Sequence, residues 1–342
     1  MKLADYTDRF HSIGVLPMLN LITGGAGFIG SHLARLLVEQ GEQVRVLDLR
    51  KPQFPLPGVE YRQGSITDQP VVRAATAGCG RVFHMAALAG LWAPDKRAFV
   101  TVNGRGTRRV LAAARAEGVE TVVHTSTESI LIDARADRKR CQLIDEDTEL
   151  GAEAMAGPYC EGKRVAEATA LRAWRRHGQR VIVCNPTVPM GPGDPWLTPP
   201  SRMLLGFLNR RFPACLATTL HMVDARDVAL GHWLAARCGE PGRRYILGGH
   251  DIELTELLQL LERLSGVVMP RRRVPYALAL TVAAIQEFIA DRYTGRPPSA
   301  PLTGVRLAGA RVKFDNRRTR VQLGWTPRPI EETLIDALAD YR

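Results

Sequence analysis

Lysine is nearly absent from this chain of 342 residues: six lysines stand against forty arginines, and the arginines carry almost all of the net charge of +11. They come in short, scattered clusters at 138–140, 175–176, 210–211, 271–273 and 317–320. None has the length or the interleaved aromatics of a nucleic-acid platform, so no nucleic-acid partner is expected. A solvated basic surface is left, with acidic lipid headgroups as a further class of partner for it. The six cysteines include no C-x-x-C pair and no metal-ligand spacing, which excludes a recognisable metal site and reads as reduced thiols in a cytoplasmic protein. The first eighteen residues lack the apolar core of a signal peptide. The most apolar late segment, YALALTVAAIQEFIA from Tyr276, is too short to span a bilayer and carries Gln286 and Glu287. Internal repeats and low-complexity runs are missing too. The expected setting is therefore the cytoplasm, free or peripheral to a membrane.

What is present is a rhythm. LNLIT reads as a buried strand, FIGSHLARLLVEQG as an amphipathic helix closed by Gly41, and QVRVLDL as a second strand. VEYRQG and RVFHMAA follow as strands, AFVTVNGRGTRRVLAAARAEG as one long helix, ETVVHTST as a strand, a helix from Pro158 to His177, and the strand RVIVCNP. Such alternation with short connections predicts an α/β fold, a Rossmann-type doubly wound parallel sheet. After Asn185 the texture changes to the proline-rich PTVPMGPGDPWLTPP, and RYILGG at 244–249 offers one more strand. The expected organisation is an N-terminal extension over 1–18, a dinucleotide-binding domain over 19–185 and 222–249, and a smaller substrate domain over 186–221 and 250–342.

The glycine-rich stretch TGGAGFIG, Thr23 to Gly30, sits between the first strand and the first helix. Glycine there weakens both elements, so a bare backbone must serve something. Gly24 suits the tight turn, Gly27 lets backbone approach a pyrophosphate, and Gly30 allows close helix–strand packing, with free N–H groups of the helix start facing the phosphates. Asp48 ends the next strand, where a carboxylate accepts both adenosine ribose hydroxyls and repels a 2′-phosphate, by about 4 kcal/mol per unit charge at ~4 Å and an effective dielectric of ~20. NAD is the expected cofactor; Arg50 and Lys51, directly after, leave NADP as the alternative.

YCEGK places Tyr159 and Lys163 one helical turn apart on one face. A tyrosine starts near pKa 10 and must fall by about 3 units to act as a base near neutrality. Lys163 and a positive nicotinamide ring are the expected sources of that shift, and a lysine among so many arginines is itself a signal, because arginine cannot join a proton relay. The strand TVVHTST ends in hydroxyls where it reaches the cofactor edge of the sheet.

These residues resemble the extended short-chain dehydrogenase/reductases, the NAD-dependent epimerase/dehydratase family, from about Met18 onward; VFHMAA, VNGRGT, NPTVPMGPGD, HMVDARDVALGH and LGWTPRPIEE add to the likeness. Within it, AGLWAPDKRAF, NPTVPMGPGDPWLTPP and RYILGG are most similar to the hopanoid-associated sugar-epimerase group, itself related to dihydroflavonol reductases and 3β-hydroxysteroid dehydrogenases. The resemblance implies Thr127 as third catalytic member beside Tyr159 and Lys163, with Ser126 the alternative. It implies that Lys163 binds the nicotinamide ribose and Asn103 anchors the helix beneath the site. Cofactor contacts implied with it are Gly24, Gly27, Phe28, Ile29, Gly30, Asp48, Arg50, Ser65, Ile66, Ala86, Lys163 and Pro186. Ser65, in QGSITD, stands where the family usually has an aspartate for adenine, and the RxGD stretch of nucleotide-sugar enzymes is missing.

Three functions compete. The first is a dehydrogenase or reductase acting on a secondary alcohol or ketone of a bulky lipophilic molecule (sterol, hopanoid or flavonoid-like). For it, the helix from Tyr276 and the loop bearing Trp196 and Leu197 would supply an apolar wall. The second is a nucleotide-sugar epimerase or dehydratase that recycles NAD internally, for which Arg271–Arg273 would grip a diphosphate. The third is a non-catalytic NAD-binding regulator. A homodimer is the expected assembly. His84 and His124 read as satisfied core histidines, Cys160 as a packing residue, and Glu128 as either a substrate contact or a solvent-facing group.

Overall fold

In the first strand, β1 (Leu19–Thr23), Leu21 and Ile22 point to opposite faces and both are fully buried, so helices must cover the sheet on both sides. A computed structural model describes residues 18–341, and shows this arrangement; of the expected N-terminal extension, residues 1–17 lie outside the described residues. With β2 (Gln43–Asp48), β3 (Val59–Gln63), β4 (Arg81–His84), β5 (Thr121–Thr125), β6 (Val181–Pro186) and β7 (Arg244–Leu247), it forms a seven-stranded sheet in the order 3-2-1-4-5-6-7. Every neighbouring pair is parallel. RYILGG does supply the last strand.

Ile22, Phe83 and Val123 pack on one face against α1 (Phe28–Glu39) and α5 (Ala225–Cys238), through Leu33, Leu37, Val228 and Trp233. Leu21, Val82 and Val122 pack on the other against α2 (Gln69–Thr76), α3 (Gly106–Ala116) and α4 (Pro158–His177), through Val72, Val110, Leu111 and Ala170. Each such fully buried aliphatic side chain stabilises the fold by about 1.5–3 kcal/mol relative to exposure. The chain order reverses between β1 and β4, which places the ligand crevice of an open α/β sheet beyond the carboxyl ends of these strands.

The stretch expected as one long helix is divided. Arg97–Phe99 is a single α-turn, Val100–Arg105 is π-helical, and α3 starts only at Gly106. The cause lies in packing: the buried Asn103 amide accepts from Leu88 N–H at 2.7 Å, and Gly104 lies tight against Val165 of α4. A π-bulge keeps that side chain turned toward the site.

Beyond β6 the chain builds strands that the proline-rich texture conceals. Thr219–Asp224 pairs parallel with Val188–Met190 and antiparallel with His250–Glu253. A separate apolar cluster of Met190, Leu204, Phe207, Leu257, Leu261 and Leu338 packs beneath it. Helix α6 (Tyr276–Ile289) is not part of a core, since Ala283 is its one buried residue. Helix α7 (Leu302–Ala308) packs beside it.

Candidate active site

Gly24 adopts φ of +77°, and a side chain on it would meet Ala86 N at 2.7 Å, so the turn and the close approach to β4 both require glycine. A side chain on Gly30 would run into the Gly24 carbonyl, while Gly27 has only that carbonyl near it and otherwise faces open space. No side chain caps α1 at Gly27, which leaves the N–H groups of its first turn, from Phe28, Ile29 and Gly30, directed outward. Asp48 closes the other side: its carboxylate accepts from Ala26 N–H and from Arg50 N–H, both at 3.0 Å. These residues fit a dinucleotide, with a bare backbone for the pyrophosphate and a carboxylate beside it for the ribose.

Trp196 lies against the glycine turn. Its indole N–H donates to the Ala26 carbonyl at 2.9 Å, and the Arg50 guanidinium stacks on its ring at 4.4 Å. The proline-rich loop thus fastens over the glycine turn, and Arg50 is held by an aromatic face. Ser65 turns its hydroxyl to Thr67 at 2.7 Å, and the adjacent Ile66 is buried against Gly106. Ala86 donates its N–H to Thr23 Oγ1 at 3.2 Å, and Pro186 ends β6 in the interior.

Thr127, Tyr159 and Lys163 come together where β5 meets the start of α4. The Thr127 hydroxyl lies 2.9 Å from Glu128 Oε2 and 3.2 Å from Ser129 Oγ. Tyr159 stands edge-on to Phe99, ring centres 6.0 Å apart, in an apolar cluster with Met155, Leu307 and Phe314. Ser126, the alternative to Thr127, is buried with no partner for its hydroxyl. Lys163 is buried and donates to the Thr125 carbonyl at 2.6 Å.

Burial dominates the electrostatics of these side chains. Burial, and then the Glu128 carboxylate, push the Tyr159 phenol well above its ordinary range, while the Thr127 hydroxyl opposes them. Lys163 is itself driven down to about 8 by burial, partly offset by Glu167. Burial is thus the main cause that keeps Tyr159 protonated, and Glu128, whose own pKa burial raises, adds to it. Glu128 lies beside Thr127, its Oε2 accepting from the Thr127 hydroxyl.

A positioning network lies behind these groups. Glu167, one turn beyond Lys163 and buried, accepts from Arg244 Nε at 2.6 Å and from Asn185 Nδ2 at 2.9 Å. Asn185 Nδ2 is also 3.1 Å from the Thr127 carbonyl, so α4, β6, β7 and the Thr127 turn are tied together. The four-residue step from Tyr159 to Lys163 to Glu167 was the sequence signal for it. His84 is satisfied, between Thr23 Oγ1 at 2.7 Å and Thr107 Oγ1 at 2.9 Å, whereas both ring nitrogens of the buried His124 lack a partner among the described residues.

Residues 20–248 match the NAD dependent epimerase/dehydratase family. The chain belongs to that family. It is 36% identical over 326 residues to a putative dihydroflavonol 4-reductase of Synechocystis sp., covering 93% of this chain and 92% of that protein. It is 30% identical to sterol demethylase protein B of Methylococcus capsulatus, covering 95% and 98%. Among solved structures, gox2253 aligns with a TM-score of 0.80 at 32% identity, covering 95% of this chain and 98% of that one.

As a member of this family the chain is an NAD-dependent oxidoreductase with a Rossmann-type sheet. The geometry around Asp48 then carries a prediction on cofactor choice. Native protein is expected to bind NAD more tightly than NADP, because the Asp48 carboxylate stands beside the glycine turn and Arg50 is engaged by Trp196. Asp48→Ala weakens NAD by about tenfold, the worth of roughly one charge-assisted hydrogen bond, and narrows the gap to NADP. Titration calorimetry with both cofactors measures this; equal affinities in the native protein would show that Arg50 and Lys51 prevail.

Proposed function

We propose that the chain interconverts a secondary alcohol and a ketone on a bulky lipophilic molecule, of sterol, hopanoid or flavonoid-like character. The observation that carries this reading is the setting of the Tyr159 phenol, edge-on to Phe99 and packed in an apolar cluster with Met155, Leu307 and Phe314. A ketone seated there meets a proton donor and apolar surface. Arg271 is bound to Glu262 at 3.0 Å, and Arg271–Arg273 are all exposed, which supports the same reading. Relatives named as a sterol demethylase protein and as a farnesyl-dihydroquinoline-oxide ketoreductase agree with it.

Thr127 holds the substrate oxygen through its hydroxyl. Tyr159 Oη gives its proton to that oxygen during reduction and takes it back in the reverse direction. NAD(H), when bound, supplies or accepts the hydride. Lys163 leaves the Thr125 carbonyl to hold the nicotinamide ribose, and Glu167 with Asn185 keeps the Thr127 turn in place behind it.

The test is purified protein with reduced nicotinamide cofactors against two panels, hydrophobic ketones (3-keto sterols among them) and UDP- or GDP-sugars. Net loss of nicotinamide absorbance with a ketone is expected. Conversion of a nucleotide sugar without net absorbance change would replace this reading by an internally recycling epimerase.

A further inference from the structure

Helix α6 turns its apolar side away from the protein. Leu278, Val282, Ile285 and Ile289 recur at steps of four, three and four, which sets them in one stripe. Leu278 and Ile285 are each 55% exposed, and Phe288 and Tyr293 beside the stripe reach 63% and 75%. Scattered exposed apolar residues need no explanation, but a continuous stripe with flanking aromatics does.

Charge is sorted around this stripe. The helix's inward side carries its acids: Lys96 holds both Glu287 at 3.4 Å and Asp291 at 2.9 Å, and Trp92 Nε1 donates to Asp291 at 2.7 Å. Basic groups stand at both ends, Arg272 and Arg273 before the helix and Arg292 and Arg296 after it. All four are exposed, and none makes an ion pair among the described residues. The helix has 14 residues, about 21 Å at ~1.5 Å per residue, short of a hydrocarbon core of ~30 Å. No helix among the described residues is long and apolar enough to cross a membrane.

We infer that α6 is a membrane-docking helix. Its stripe lies in the headgroup–acyl boundary of an anionic bilayer, and Arg272, Arg273, Arg292 and Arg296 meet lipid phosphates. A second copy on the same face would set these arginines against one another, because the carboxylates nearby are already held by Lys96; an anionic lipid surface supplies the missing opposite charge. The docked face is joined to the active site through α7, whose Thr303 abuts Gly157 and whose Arg306 Nη1 donates to the Ala156 carbonyl at 3.1 Å, just before Tyr159.

The experiment is co-sedimentation of the full chain with phosphatidylcholine vesicles, with and without phosphatidylglycerol. The protein is expected to pellet with the anionic vesicles, and about tenfold more weakly with the neutral ones or at high salt. The pair Leu278→Glu and Ile285→Glu, at exposed positions, lowers partition by about tenfold or more while thermal melting stays unchanged. Arg292→Gln with Arg296→Gln weakens the anionic arm alone. Native protein that stays in the supernatant, partition indifferent to the glutamates, or a solution dimer that Ile285→Glu dissociates would each overturn the inference. Because partition is read and not turnover, its failure leaves the oxidoreductase reading untouched, and a failed substrate panel leaves this one untouched.

Discussion

Tyr159→Phe is expected to cut turnover by about 10²–10⁴-fold, the usual contribution of a positioned acid–base group. The substitution keeps the ring and its edge-on contact with Phe99, and removes only a hydroxyl that burial and Glu128 hold protonated. Fold and NAD affinity therefore persist, and melting temperature with NAD titration checks both. Glu128→Gln supplies an independent readout. Removing its charge lowers the phenol's pKa, so the alkaline limb of ketone reduction, where the proton donor is lost, moves to lower pH. Near-native turnover in Tyr159→Phe would remove the residue from the mechanism, and an unmoved alkaline limb in Glu128→Gln would separate Glu128 from it.

The second large effect is acid destabilisation. Burial lowers His84 to about 3 and His232 to about 4, and holds His124 well below the ordinary range, with Lys163 adding to the depression at each. In the unfolded chain each takes a proton near pH 6.5. The unfolded state then binds more protons, so stability is complete above about pH 6.5 and falls as pH drops below it. Between pH 7.5 and 5, His84 and His232 cost about 2 kcal/mol each, hence about 4 kcal/mol together; His124 acts in the same direction. Against a usual stability of ~5–15 kcal/mol this is a large fraction. Urea unfolding across that range measures it. His84→Gln, which keeps hydrogen-bonding capacity for Thr23 and Thr107, flattens the slope by about one proton. A flat native profile would mean that these rings are protonated or solvated in the fold.

Much of the cofactor end was legible residue by residue. Gly24, Gly27, Gly30 and Asp48 act through spacing along the chain, and the helix they open and the strand they close adjoin them in sequence. The helix from Pro158 to His177 was read with its limits, and its four-residue steps align Tyr159 with Lys163. The π-helical turn at Val100–Arg105 escaped, because it depends on Asn103 bonding Leu88 and on Gly104 meeting Val165 across two other elements. The contacts of Trp196 with Ala26 and Arg50 escaped as well. A loop's side chains are placed by whatever they meet, and composition does not say what that is.

The sequence by itself determined the doubly wound sheet, the dinucleotide turn and the Tyr159–Lys163 face, because period, glycine position and helical step are local properties. Tertiary structure alone decided what surrounds the phenol: burial and then Glu128 bear on Tyr159, while Lys163 donates to the Thr125 carbonyl. It alone assembled Glu167, Asn185 and Arg244 behind Thr127, from three elements far apart in the chain. It also decided that α6 faces outward. An apolar helix has the same period inside a core or on a surface; burial is conferred by neighbours, and the described residues leave that stripe about half exposed.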